Sequence, residues 1–92
     1  MRIIGSIDHP VMKITVFKMD NKLSVKFETG LYEQIYKFRT GDSINTLEDM
    51  QQLVDEPFIN SVLAEMTTLH QIKSQALSRL LPEEEEDFDQ II

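Results

Sequence analysis

The apolar residues of this chain change their spacing at Thr40-Gly41, from every second position to every third or fourth. Before that point Ile14, Val16, Leu23, Val25 and Phe27 alternate with Lys13, Thr15, Lys22, Ser24 and Lys26. A repeat of two places one set on each face of a strand. Asp20-Asn21 separates two such runs, and both residue types tolerate the left-handed backbone of a tight turn. Residues 12–19 and 22–29 are therefore expected to pair as a hairpin. Gly30 marks a second turn, with residues 31–39 returning as a further strand. In that run Tyr32, Tyr36 and Phe38 fall on one face, Leu31 and Ile35 on the other. Apolar residues on both faces predict a central strand, covered on each side. Residues 2–7 make a short strand that Asp8-His9-Pro10 ends.

After Gly41 the repeat is helical. Asn45-Thr46-Leu47-Glu48 offers an N-cap and a reciprocal acid, with Ser43 or Thr46 as alternative caps. Leu47, Met50, Leu53 and Val54 then recur at helical spacing. Asp55-Glu56-Pro57 stops this short helix and opens another, because proline suits a first turn and acids suit the positive end of the helix dipole. The second helix is expected from residue 57 to residue 81, about 37 Å at 1.5 Å per residue. Pro82 ends it.

The expected architecture is α+β: a three- to four-stranded antiparallel meander, then a short helix and a long C-terminal helix packed on one sheet face. Residues 1–82 are read as one domain, and residues 83–92 as an acidic, flexible tail. Strands of about eight residues span roughly 27 Å, so the long helix is expected to overhang the sheet or to meet something else. Its apolar residues Ile59, Val62, Leu63, Met66, Leu69 and Ile72 cover more than a narrow stripe. Pairing two copies along this helix would bury that surface, and a symmetric dimer is the commonest closed assembly.

Charge divides where the period changes. Residues 1–40 carry seven basic and four acidic side chains, a net +3, whereas residues 41–92 carry two basic and twelve acidic ones, a net −10. The overall −7 is thus a contrast between a basic strand region and an acidic helical region with its tail. The acidic run Glu83–Asp89, followed by Gln90-Ile91-Ile92 and carrying Phe88 within it, combines carboxylates with apolar anchors suited to a basic protein surface or to the chain's own basic sheet. No apolar run approaches the ~20 residues of a membrane span, and residues 1–8 lack a continuous signal-peptide core. A cytoplasmic protein with no membrane partner is expected.

Chemistry finds little purchase. There is no cysteine, hence no disulfide framework and no thiolate metal site. His9 and His70 are not at metal-ligand spacing with each other or with an acid, and His70 is expected at the edge of the helix's apolar line. Gly5, Gly30 and Gly41 are too dispersed for a phosphate-binding loop, and no serine sits in a nucleophile elbow. Asp20-Asn21 lacks the further ligands of a calcium loop. No enzyme activity, cofactor or metal is expected. The leading expectation is an interaction or adaptor protein that forms a homodimer through the long helix. The alternative is a nucleic-acid-binding module using Lys13, Lys18, Lys22, Lys26, Lys37 and Arg39, which lie among the sheet's aromatics.

Overall fold

The computed structural model describes residues 1–41 and 43–80. Four strands, β1 (Arg2–Ile7), β2 (Lys13–Met19), β3 (Lys22–Glu28) and β4 (Glu33–Arg39), precede helices α1 (Leu47–Leu53) and α2 (Glu56–Leu80). The strands form one antiparallel sheet in the order β1-β2-β3-β4. Each strand therefore lies beside its neighbour in sequence. Both helices pack on one face, giving the two-layer α+β arrangement expected from the change of period. The acidic run and the end of the chain, residues 81–92, lie outside the described residues.

The β2–β3 hairpin supplies the floor of the core. Ile14 pairs with Phe27, Val16 with Val25, and Leu23 continues the same face. All five are essentially inaccessible to solvent. Asp20 takes φ 48°, the left-handed backbone that allows a two-residue reversal without splaying the strands. On β4, Gln34, Tyr36 and Phe38 oppose Phe27, Val25 and Leu23 and so share this buried face.

Two sequence-based expectations change here. The strand ending at Arg39 is an edge strand, not a central one, and Ile35 on its outer side is 50% exposed. Apolar residues on both faces thus leave Ile35 exposed, with no second covering layer among the described residues. The cap of α1 is Thr46, with Asp49 rather than Glu48 as the reciprocal acid. Asp49 N–H donates to Thr46 Oγ1 at 3.2 Å, while the Asp49 carboxylate accepts from the amides of Asn45 at 2.8 Å and Thr46 at 3.1 Å. Thr46, one of the alternative caps, holds the position with the extended backbone it requires, φ −131° and ψ 166°, and this moves the reciprocal acid to Asp49.

Strand β1 carries a bulge. Ile3 opposes Phe17 and Gly5 opposes Val16, so Ile4 is the extra residue. The bulge exchanges the faces of the strand. Ile7, opposite Ile14, joins the helix side, whereas Ile3 goes with Phe17 to the other. Gly5 faces α1 so closely that a Cβ there would lie 2.6 Å from a Leu47 methyl carbon. Its bare backbone lets the short helix settle on the sheet.

Asp55 stands just before helix α2, and its carboxylate accepts from Phe58 N–H at 3.0 Å. Phe58 packs on Phe27 and Tyr36, with ring centroids 5.2 and 5.1 Å away. The Val62 carbonyl accepts from Gln34 Nε2 at 3.0 Å, and Tyr36 donates to Gln34 Oε1 at 2.5 Å. Farther along, His70 meets Tyr32. The helix therefore runs antiparallel to β4, toward the β3–β4 turn. Its 25 residues extend about 37 Å against roughly 24 Å for a seven-residue strand. Beyond Lys73 the C-terminal end projects past Tyr32, and Leu80 is 72% exposed.

Two measurements test these assignments. Phe27→Ala should cost about 3–5 kcal/mol in urea unfolding because it empties the centre of the core. Ile35→Ala, on the uncovered side of the adjacent strand, should stay within about 0.5 kcal/mol. The Asp49 carboxyl is held below its ordinary 3.8, first by the Asn45 amide and then by Thr46. A lowered folded value makes the contribution of Asp49 to stability full above the unfolded value and lost as pH falls through the folded one. Asp49→Asn should therefore flatten the stability profile below about pH 4 and leave its shape near neutrality unchanged. Denaturant titrations at several pH values check this.

Candidate interaction surface

No described element packs on the second face of the sheet. Strand alternation and register arrange its side chains in four rows. Met19, Lys22 and Arg39 lie nearest the β2–β3 turn. The next row crosses all four strands as Ile3, Phe17, Ser24 and Lys37. Below it come Ser6, Thr15, Lys26 and Ile35, and then Lys13, Glu28 and Glu33. The face is thus cationic at one end and partly acidic at the other, with Ile3, Phe17 and Ile35 set among polar and charged side chains between them.

Phe17 is the only aromatic ring that the strands present on this face. Lys26 Nζ lies 5.5 Å from its centroid, a cation–π contact. The same ammonium meets Glu28 at 3.6 Å and Glu33 at 4.0 Å. Lys13, Lys22, Lys37 and Arg39 make no ion pair among the described residues. Thr15 and Ser24 are buried although no described element packs above them. They are small, central in the sheet, and sit beneath the longer side chains beside them. Ile3 is 64% exposed.

The six cations singled out from sequence divide five to one. Lys13, Lys22, Lys26, Lys37 and Arg39 share the open face, whereas Lys18 opposes Leu23 and projects from the other side near Arg2. The aromatics divide the opposite way: Phe27, Tyr36 and Phe38 turn toward the helices and leave Phe17 with the cations. Ile3 joins the surface through the β1 bulge. No spacing rule locates that bulge, although the Ile-Gly pair at its site is a weak signal.

Five of the six helix residues expected at a dimer interface pack within the chain's own core. Val62 and Met66 are buried in the core, and Ile59, Leu63 and Leu69 pack against it. Ile72 is exposed. Their spacing identifies the helix face correctly as apolar, but a single helix running along β3 and β4 covers most of it.

Both histidines have local partners. His9 Nδ1 accepts from the amides of Val11 and Met12, at 3.2 and 3.3 Å, and shapes the β1–β2 connection. His70 Nδ1 lies 2.8 Å from the Tyr32 hydroxyl, and its Nε2 lies 3.5 Å from Ser74 Oγ. One neutral tautomer satisfies both contacts, with Tyr32 donating to Nδ1 and Nε2–H directed at Ser74. Lys73 Nζ sits 5.6 Å from the Tyr32 ring centroid. This group joins the helix to the β3–β4 turn. Among the described residues, no three His, Asp or Glu side chains converge to hold a metal. No helix among them is long and apolar enough to cross a membrane.

Compared with known proteins, the chain matches no family model, no curated protein and no solved structure.

Tyr32→Phe tests the link between helix and turn. Losing the hydrogen bond to His70 should cost about 1 kcal/mol. Amide exchange should accelerate in the C-terminal half of α2 more than in its first two turns. Equal acceleration at both ends would remove the clamp as the explanation.

Proposed function

We propose that this chain is a small non-enzymatic interaction or adaptor protein that holds its partner on the open face of the sheet. The observation carrying this reading is the row Ile3, Phe17, Ser24 and Lys37 with exposed Ile35 beside it. Apolar side chains set among polar and charged ones on a regular, rigid element suit a protein contact. Rigid strands also hold the surface in place before binding, which lowers the ordering cost of association. A cytoplasmic setting is part of the proposal and rests on the sequence alone.

Self-association through α2 is proposed only for its projecting end. There Ile72 and Leu80 are exposed, whereas five of the six candidate interface residues are engaged by the sheet. Nucleic-acid binding is the second reading. Phe17 beneath Lys26, with four further cations on the same face, supports it. A single ring and the carboxylates of Glu28 and Glu33 favour a protein partner.

Affinity capture from the native cell compares full-length protein with its Phe17→Ser/Ile35→Ser variant. The proposal expects one protein enriched by the wild type and lost with the variant, while both retain the same circular dichroism spectrum. Undiminished capture by the variant sinks it. Co-purifying nucleic acid that disappears with the variant selects the second reading.

A further inference from the structure

Three cations crowd one corner of the open face. Lys22 and Arg39 are direct cross-strand partners. In an antiparallel pair this places their Cβ atoms about 5 Å apart, and like charges so opposed destabilise the sheet. Lys37 stands on the same face two residues along β4, about 7 Å from Arg39. None has an acidic partner among the described residues. The contrast with Lys26, which meets Glu28, Glu33 and the Phe17 ring, is internal to the same face. Three like charges with no counter-ion among the described residues make this corner attractive to an anion.

The rest of the face limits what that anion is. Moving from this corner along β3 and β4 toward their turn, a ligand passes Ser24, with Phe17 one strand to the side, then Lys26 and Ile35, and then approaches Glu28 and Glu33. A continuous polyanion laid along the roughly 24 Å of a seven-residue strand would bring phosphates onto those carboxylates. A peptide can be acidic at one end and apolar at the next position. Buried Ser24 lies between Phe17 and Lys37 and leaves room for a bulky side chain beside the ring.

We propose that the open face takes an extended acidic peptide segment, with its carboxylates over Lys22, Lys37 and Arg39 and one bulky apolar side chain beside Phe17. This rests on reading that face as the interaction surface. The chain itself supplies a probe of the right chemistry. Residues 1–80 carry a net charge of −1, and residues 81–92 contribute the other −6, with Phe88 between Asp87 and Asp89.

The test is nitrogen–proton NMR on the full-length chain. Glu83, Glu84, Glu85, Glu86, Asp87 and Asp89 are changed to their amides so that the chain's own acids do not compete. Three probes are titrated: a synthetic peptide with the sequence of residues 83–92, the same peptide with its acids as amides, and a short oligothymidylate. The acidic peptide should shift the amides of Phe17, Lys22, Ser24, Lys37 and Arg39, and added salt should weaken it. Lys22→Gln/Lys37→Gln/Arg39→Gln should lower its affinity about tenfold or more while preserving the fold, because these side chains are peripheral to the core. Equal binding of the amide peptide, or stronger binding of the oligothymidylate to these residues, overturns the acidic-peptide inference and leaves the open face standing as an interaction surface. Shifts confined to other parts of the molecule, or none with any probe, also overturn it. The Phe17/Ile35 capture comparison then decides separately whether the face binds a protein at all.

Discussion

The packing of the β2–β3 hairpin against α2 governs the rest of the molecule. Ile14, Val16, Leu23, Val25 and Phe27 make one continuous apolar surface, and Phe58, Val62 and Met66 close it. Apolar area removed from water stabilises at about 25 cal/mol per Å², so burying this face is the largest favourable contribution available to so short a chain. Its consequence is directional. Once both helices are committed to one side, the other side of the same strands has no covering layer among the described residues. The surface proposed to bind a partner is the complement of the core.

Two features adjust that surface. The bulge at Ile4 moves Ile3 to the open side while returning Ile7 to the core. Gly5, next to the bulge, leaves room for Leu47 and so for α1. A local irregularity in β1 thus serves both layers: it admits a helix on one and adds an apolar residue to the other. The edge position of β4 has a comparable double effect. Its Gln34 and Tyr36 hold α2, whereas Lys37 and Arg39 place charge along an exposed strand, which also discourages pairing with another sheet.

The long helix connects these observations to self-association. Much of its apolar face is occupied within the chain, and His70 with Tyr32 secures it at the far end of the sheet. What remains beyond that clamp is a short projecting segment bearing Leu80, with Ile72 just before it. Any interface built there is small compared with one using the whole helix. The proposed activity therefore resides on the sheet, where apolar and charged groups occupy a common plane. The cationic corner at Lys22, Lys37 and Arg39 gives that plane a polarity, and polarity orients an extended ligand.

Much of this fold is legible in the sequence because hydrophobic period reports local geometry. A repeat of two from Lys13 to Phe27 and a helical repeat after Leu47 determine strands, helices and the side of each that seeks burial. Asp20 and Asp55 mark a turn and a helix start through backbone preferences that act within a few residues. The candidate surface was only partly legible. Alternation separates Lys22 and Lys26 from Leu23, Val25 and Phe27 and groups Lys18 with Ile14 and Val16, but it cannot set Arg39 beside Lys22 until the strand register is known. Nor can periodicity distinguish a helix face awaiting a second copy from one that its own sheet will cover, since both present Val62 and Met66 identically. The sequence by itself determined which residues must leave water and roughly where the charges lie. Only the tertiary structure decided which apolar surfaces satisfy one another, because that depends on strand order, a one-residue bulge and the direction of α2, all set by contacts between residues far apart in the chain.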